Sequence, residues 1–231
     1  MPSPETPVGQ LVADRPDRAR IFEQLGIDYC CGGDQTLAEA CRAHDLDPGT
    51  VAQMLDPVAS ASEAPAIPDW TEAKLGDLID HIVATHHDYL RRELPRLRDR
   101  IAKVVRAHGD DVAWLQPVQD LFHTLKRELE DHMASEEDYV FPAIRTLEQG
   151  RVLPDGSTLD PDALEQMVDE HDEAGSMLER LRDLTNDYTP PEDACATFQA
   201  ALDGLKELEA DMHRHVHKEN NILFPRAHQL A

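Results

Sequence analysis

His132-Met133-Ala134-Ser135-Glu136-Glu137-Asp138-Tyr139-Val140-Phe141-Pro142 and His215-Val216-His217-Lys218-Glu219-Asn220-Asn221-Ile222-Leu223-Phe224-Pro225 read as one phrase written twice. Each has a His, a Glu four residues on, and a closing Phe-Pro. Upstream of the first lie Val118, Leu121, Leu125 and Leu129. Upstream of the second lie Phe198, Leu202, Leu205, Leu208 and Met212. The steps are three or four residues throughout, so each set shares one face of a helix. His132, Glu136, His215 and Glu219 therefore stand where leucines are expected.

Two further segments carry the same logic. Leu164, Val168, His171, Gly175, Leu178 and Leu181 mark one face. Leu75, Ile79, Ile82 or Val83, His86 or His87, Leu90 and Leu94 mark another, and periodicity leaves His86 and His87 both open. The four helical patterns run over about 70–108, 117–147, 161–184 and 191–229 by period and breakers. Pro95 is expected to kink or break the first and Pro225 to bend or end the last. Asp160-Pro161 reads as an N-cap followed by proline at the first helical position. Four long amphipathic helices with short to moderate links predict an all-α, up-down-up-down four-helix bundle.

Burying an unpaired carboxylate costs several kcal/mol as an order of magnitude. Two carboxylates on an apolar interior need compensation, and a pair of divalent cations supplies it. Carboxylates bridge hard cations and neutral imidazoles complete the shell, a donor mix that suits iron or manganese. One His on an apolar face is ordinarily a satisfied core residue. Four helices contributing together is a different observation.

Residues 1–57 form a separate compositional unit, expected to be a small helical domain. A helix is expected over 18–25, ending near Gly26. Another begins at Thr36, with Glu39 completing a capping box, and stops before Asp47. A third covers 50–55. The stretch 58–68 is rich in Ala, Ser and Pro and reads as a linker. The bundle then occupies 69–231.

Of 231 residues, 46 are Asp or Glu and 22 Lys or Arg, giving a net charge of −24. Such a field repels phosphate backbones, which argues against nucleic acid as a partner. No apolar run approaches the ~20 residues of a membrane span. The opening ten residues lack the basic-then-apolar pattern of a leader. Four irregularly spaced cysteines do not make a disulfide framework in a chain this long, so a cytoplasmic location is expected.

Taken together, these motifs resemble a known family. Residues 69–231 are similar to hemerythrin-like domains. Asp28-Tyr29-Cys30-Cys31-Gly32-Gly33-Asp34-Gln35-Thr36-Leu37 resembles the small domain fused to them in the repair-of-iron-centres di-iron proteins. His171-Asp172-Glu173-Ala174-Gly175 and the segment from His215 to Ala227 match that family closely. The resemblance implies two non-haem iron ions bridged by Glu136 and Glu219, with His87, His132, His171 and His215 as terminal ligands. It selects His87 over His86 because the family's ligand lies eight residues before the proline that is here Pro95. Two departures from oxygen carriers follow: Gly175 stands where a second His is found, and Glu219 replaces an Asp at longer spacing. The lost ligand implies a more open and more labile iron, which favours chemistry or iron release over reversible oxygen storage.

The function so implied is repair of iron-sulfur clusters damaged by oxidative or nitrosative stress, with damaged or apo iron-sulfur proteins as partners. Alternatives of other classes are an enzyme reducing nitric oxide and a sensor of oxygen or nitric oxide. A homodimer is compatible with the sequence. Cys30 and Cys31 would be a redox or iron-transfer pair, which requires accessible thiols of lowered pKa. Asp28 and Asp34 oppose that lowering and Gly-rich backbone amides favour it. The two cysteines by themselves do not fill a tetrahedral zinc site. Cys41 and Cys195 read as structural. His108, about 31 Å along a continuous helix from His87 at 1.5 Å per residue, is left out of the ligand shell. The remaining histidines read as surface or supporting residues.

Overall fold

A computed structural model describes residues 1–56, 68–153, 159 and 161–230. Eleven α-helices lie in the described residues, and no strand does. The linker expected over 58–68, apart from Pro68, and the capping role of Asp160 lie outside them.

The helices are α1 (Val8–Asp14), α2 (Ala19–Leu25), α3 (Leu37–Ala43), α4 (Pro48–Leu55), α5 (Leu75–Ile82), α6 (Asp88–His108), α7 (Leu115–Ser135), α8 (Phe141–Glu148), α9 (Pro161–Leu184), α10 (Ala196–Lys218) and α11 (Phe224–His228). Three single π turns splice them into longer rods: Val83–His87, Glu136–Val140 and Glu219–Leu223.

The chain divides into two compact units. His81–Ala143 and Asp160–Met212 form one. Within it α6 packs on α7 and α7 on α9. Arg182 of α9 pairs with Glu209 of α10 at 2.7 Å. Gly204 of α10 leaves room for Leu97 of α6: a Cβ there would sit 2.5 Å from Leu97 Cδ2. Four helices thus close on one another, as the sequence predicts. The seam on α7 is Val118, Phe122, Leu125 and Leu129. Leu121, expected in the seam, is half-buried, and Phe122 takes its place. On α9 Met167 and Ala174 are buried where Val168 and Gly175 were expected.

Met1–Asp80, Ile144–Leu159 and His213–Ala231 form the other unit. Val8, Leu11, Phe22, Ile27, Tyr29, Leu37, Cys41, Val51 and Leu55 make its apolar core. Helix α1 has no counterpart in the sequence reading. The Pro-rich lead hides it, yet Val8, Leu11 and Val12 lie at helical spacing and are buried. Thr36 and Glu39 do form a capping box, and Gly26 ends α2 with φ 69°. Helix α4 starts earlier than expected, because Asp47 caps it and Pro48 is its first residue. Elsewhere α5 starts at Leu75 rather than near Trp70, and α10 at Ala196 rather than near Pro191.

Pro95 lies inside α6 without breaking it. Pro225 does not end the last rod either, since α11 runs through it.

Candidate metal centre

Each π turn sits at a predicted ligand. The first ends on His87, and the others begin on Glu136 and Glu219. The wide turns are closed by Asp88 N–H to Val83 O, Phe141 N–H to Glu136 O, and Phe224 N–H to Glu219 O. Such one-turn widenings recur at functional sites in helices. Here the repeated Phe-Pro gives a local reason for two of them. Pro142 and Pro225 have no N–H to place, and their rings need the preceding carbonyls moved aside. A widened turn just before each proline satisfies both needs.

In the His81–Ala143 and Asp160–Met212 unit, four predicted ligands meet at 6% exposure or less. Glu136 Oε2 lies 3.3 Å from His87 Nε2, and its Oε1 lies 3.5 Å from His132 Nε2. His171 Nε2 is 2.9 Å from His132 Nε2. One carboxylate therefore offers one oxygen to each of two imidazoles. In the other unit His215 Nε2 lies 3.1 Å from Glu219 Oε1, one helical turn on. Both are essentially inaccessible.

Each unit thus presents its own set of buried candidate ligands, His87, His132, Glu136 and His171 in one and His215 and Glu219 in the other, and these residue types could hold a cation. His86 belongs to neither. It is buried, with Nδ1 on Asp211 Oδ1 at 3.0 Å.

The imidazoles are braced from outside. His87 Nδ1 bonds Glu137 Oε1 at 2.5 Å, and Arg91 Nη2 donates to the same oxygen at 2.7 Å. His132 Nδ1 bonds Glu170 Oε2 at 2.7 Å, and Gln166 donates to the other oxygen. A carboxylate holding Nδ1–H leaves the lone pair on Nε2, the nitrogen that faces inward. Burial pushes the Glu137 carboxyl up, but its bonds from His87 and Arg91 outweigh this and hold it below the usual range. The donor set thus fits cations of borderline to hard character: neutral imidazole nitrogens and fully buried carboxylates, with no thiolate in either set. Glu137 and Glu170 carry a signal that the sequence reading passed over. Each adjoins a predicted ligand on its own helix and braces a ligand on the next.

Cys30 is buried and Cys31 partly so, with the sulfurs 3.8 Å apart and not joined as a disulfide. The amides expected to favour a thiolate are already used. Those of Cys30, Cys31 and Gly32 all donate to the Asp28 carboxylate, at 2.9, 3.0 and 2.9 Å. The Cys31 contact, burial and the Asp28 charge push the Cys30 thiol well up. Cys41 is buried, but Cys195 is exposed, which corrects its reading as structural. Because α10 starts at Ala196, Cys195 caps the helix instead of lying within it. Its sulfur is 3.6 Å from His108 Nε2. His108 thus has a partner away from both ligand sets.

With this geometry in view, comparisons with known proteins are informative. Residues 78–227 match the Hemerythrin HHE cation binding domain. Residues 4–59 match ScdA_N, a domain of unknown function. The chain is 39% identical over 223 residues to the iron-sulfur cluster repair protein YtfE of Escherichia coli O81, covering 96% of each chain. It is 38% identical, with the same coverage, to proteins of that name from E. coli O1:K1 and Escherichia fergusonii. No described helix is long and apolar enough to cross a membrane. The cation-binding match spans the segments that bear every buried His and Glu of the two sets, and the chain belongs to the hemerythrin HHE cation binding domain family, together with these YtfE relatives.

Proposed function

We propose that His87, His132, His171 and His215 with bridging Glu136 and Glu219 hold two iron ions, and that the chain repairs damaged iron-sulfur clusters by donating iron. The observation that carries this reading is the fully buried Glu136 carboxylate, which turns one oxygen to His87 Nε2 at 3.3 Å and the other to His132 Nε2 at 3.5 Å. Bound iron supplies a reservoir of metal held by carboxylates and imidazoles alone. The chain's own residues do the rest. Glu137 and Glu170 hold the Nδ1 protons of His87 and His132 and keep the Nε2 lone pairs pointed inward. Leu90, Leu129 and Phe141 are buried on the same helices, and the Phe141 ring stacks on His87 with centroids 5.7 Å apart. Gly175 offers no ligand one turn after His171, which keeps the binding labile. The name of the relatives, iron-sulfur cluster repair protein, supports damaged clusters as the client class; oxidative or nitrosative stress as the source of damage and a cytoplasmic location are part of the same proposal. The domain parse follows: 1–57 as a small module, 58–68 as a linker and 69–231 as the iron-binding bundle.

Metal analysis with Mössbauer spectroscopy tests the site. The wild type should hold two irons, and Glu136→Ala and Glu219→Ala should each lose at least one. Transfer is tested by mixing the loaded protein with an apo iron-sulfur protein. Stoichiometric delivery supports repair. Multiple-turnover nitrous oxide formation without delivery supports the nitric oxide reductase, and reversible gas binding with neither supports a sensor.

A further inference from the structure

The turn that carries the two cysteines is far more ordered than a Gly-rich loop needs to be. Asp28 sits at its head and accepts the three successive backbone N–H groups of Cys30, Cys31 and Gly32. Tyr29 is buried, and its hydroxyl donates to Glu23 at 3.0 Å. From outside the loop, Asn221 Nδ2 donates to Cys30 O at 2.9 Å and to Tyr29 O at 3.4 Å. The Asn221 amide fills space that side chains at Gly9 and Gly33 would need: a Cβ would lie 2.3 Å and 2.1 Å from its Oδ1. Gly9 N–H also bonds Gly33 O at 2.9 Å. Asn221 belongs to the π turn that begins at Glu219. The cysteine loop is thereby keyed to the segment bearing one of the proposed iron ligands.

This order aims three donors at one point. Cys30 Sγ lies 3.8 Å from Cys31 Sγ and 3.1 Å from Asp28 Oδ1. All three ligand atoms lie within 4.8 Å of one another. A cation bonded to two thiolates at about 2.3 Å with a tetrahedral angle places the sulfurs about 3.8 Å apart. The loop already holds that spacing. Two cysteines alone leave such a cation half-coordinated, and Asp28 is the third donor that the turn supplies. Asp28 is exposed and Cys31 partly so, which leaves one side of the site open to solvent.

We propose that Asp28, Cys30 and Cys31 form a second, mononuclear site for a borderline divalent cation of the ferrous or zinc class, with its fourth position open. Binding breaks two S–H bonds, forms two cation–sulfur bonds and one cation–oxygen bond, and releases two protons to solvent. No electron moves. Because binding and thiol deprotonation are one coupled step, affinity falls as pH falls. A site with three protein donors and an open face suits handing a cation on, unlike the closed shells of structural zinc. Its role as the exit station for donated iron rests on the iron-donation reading, whereas the binding itself does not.

The experiment uses the full chain with its bundle iron in place. Anaerobic cobalt(II) titration should give a sulfur-to-cobalt charge-transfer band in the near ultraviolet, saturating at one cobalt per chain and erased by zinc(II). Carboxylate and imidazole sites do not give this band. The C30S/C31S double variant should lose it, and C195S should keep it. D28N should weaken cobalt binding at least tenfold. Bundle iron content and helical circular dichroism confirm that each variant is folded. No band in the wild type, or a band that survives in C30S/C31S, overturns the proposal. Unchanged affinity in D28N overturns the third donor. If the bundle binds no iron at all, the iron-donation reading falls, and the cobalt band still decides this one.

Discussion

Glu136 and Glu219 each lie at zero exposure beside imidazole nitrogens, and Glu137 and Glu170, each next in sequence to a proposed ligand, brace His87 and His132. Glu170→Ala frees His132 Nδ1 from its carboxylate, so its ring loses both tautomer and orientation. Outer-shell losses of this kind cost about 10–100-fold in metal affinity. Competition against a chromophoric iron chelator should show that drop with the helical content intact. A different residue-scale expectation concerns Cys195. The His108 contact, then the Phe198 and Thr197 amides at the start of α10, hold its thiol below the ordinary range. At neutral pH iodoacetamide should label Cys195 before Cys30, and His108→Ala should slow it. Mass mapping of the labelled peptides gives the order. The candidate ligands were legible at this scale, but the choice between His86 and His87 was not. Both are buried, and only their partners separate them, Asp211 for one and Glu137 for the other.

Between residue and bundle, helix ends and π turns decide the geometry. Thr36→Ala breaks the capping box of α3 and should cost about 1 kcal/mol, read from denaturant melts. Asp47 offers a pH-dependent counterpart. Its carboxylate accepts from the Thr50 hydroxyl and amide, which holds it below its ordinary value. The unfolded chain therefore binds this proton more readily than the folded one. The stabilisation is complete above the ordinary value and is lost as pH falls through the folded one. Asp47→Asn should flatten the acid side of the stability–pH curve below about pH 4. At the α10–α6 contact, Gly204→Val drives a branched side chain into the space of Leu97. Overpacking of this kind costs about 1–3 kcal/mol, and the unfolding midpoint should fall accordingly. Periodicity located the long helices, and capping rules located α3. The π turns were invisible to both, because a single widened turn shifts the period by one residue, within the tolerance of a three-or-four step. Helix α1 escaped notice because prolines dominate the composition just before it.

For the molecule as a whole, the net charge of −24 and the fully buried Glu136 and Glu219 act in the same direction. Without cations, the bundle holds carboxylates that water no longer solvates. On the proposed reading iron binds the folded chain and not the unfolded one, so stability should rise with occupancy. Removal of iron by a chelator should lower the thermal midpoint, and restoring ferrous iron should recover it. Glu136→Ala should show a smaller difference between the two states.

Residue type, four-residue spacing and repetition can be read along a single helix, and they determined the all-helical class and the candidate ligands His132, Glu136, His171, His215 and Glu219, with His86 and His87 left open. The amphipathic period dictates which face is buried, and a carboxylate on that face calls for a cation wherever the helix packs. Distances between helices are a different matter. The pairing of Glu137 with His87 and of Glu170 with His132, the partnering of His108 with Cys195, and the locking of the cysteine loop by Asn221 join residues 38 to 191 positions apart. Only tertiary packing brings such side chains within hydrogen-bond or van der Waals reach, because local periodicity contains no information about which helix lies alongside.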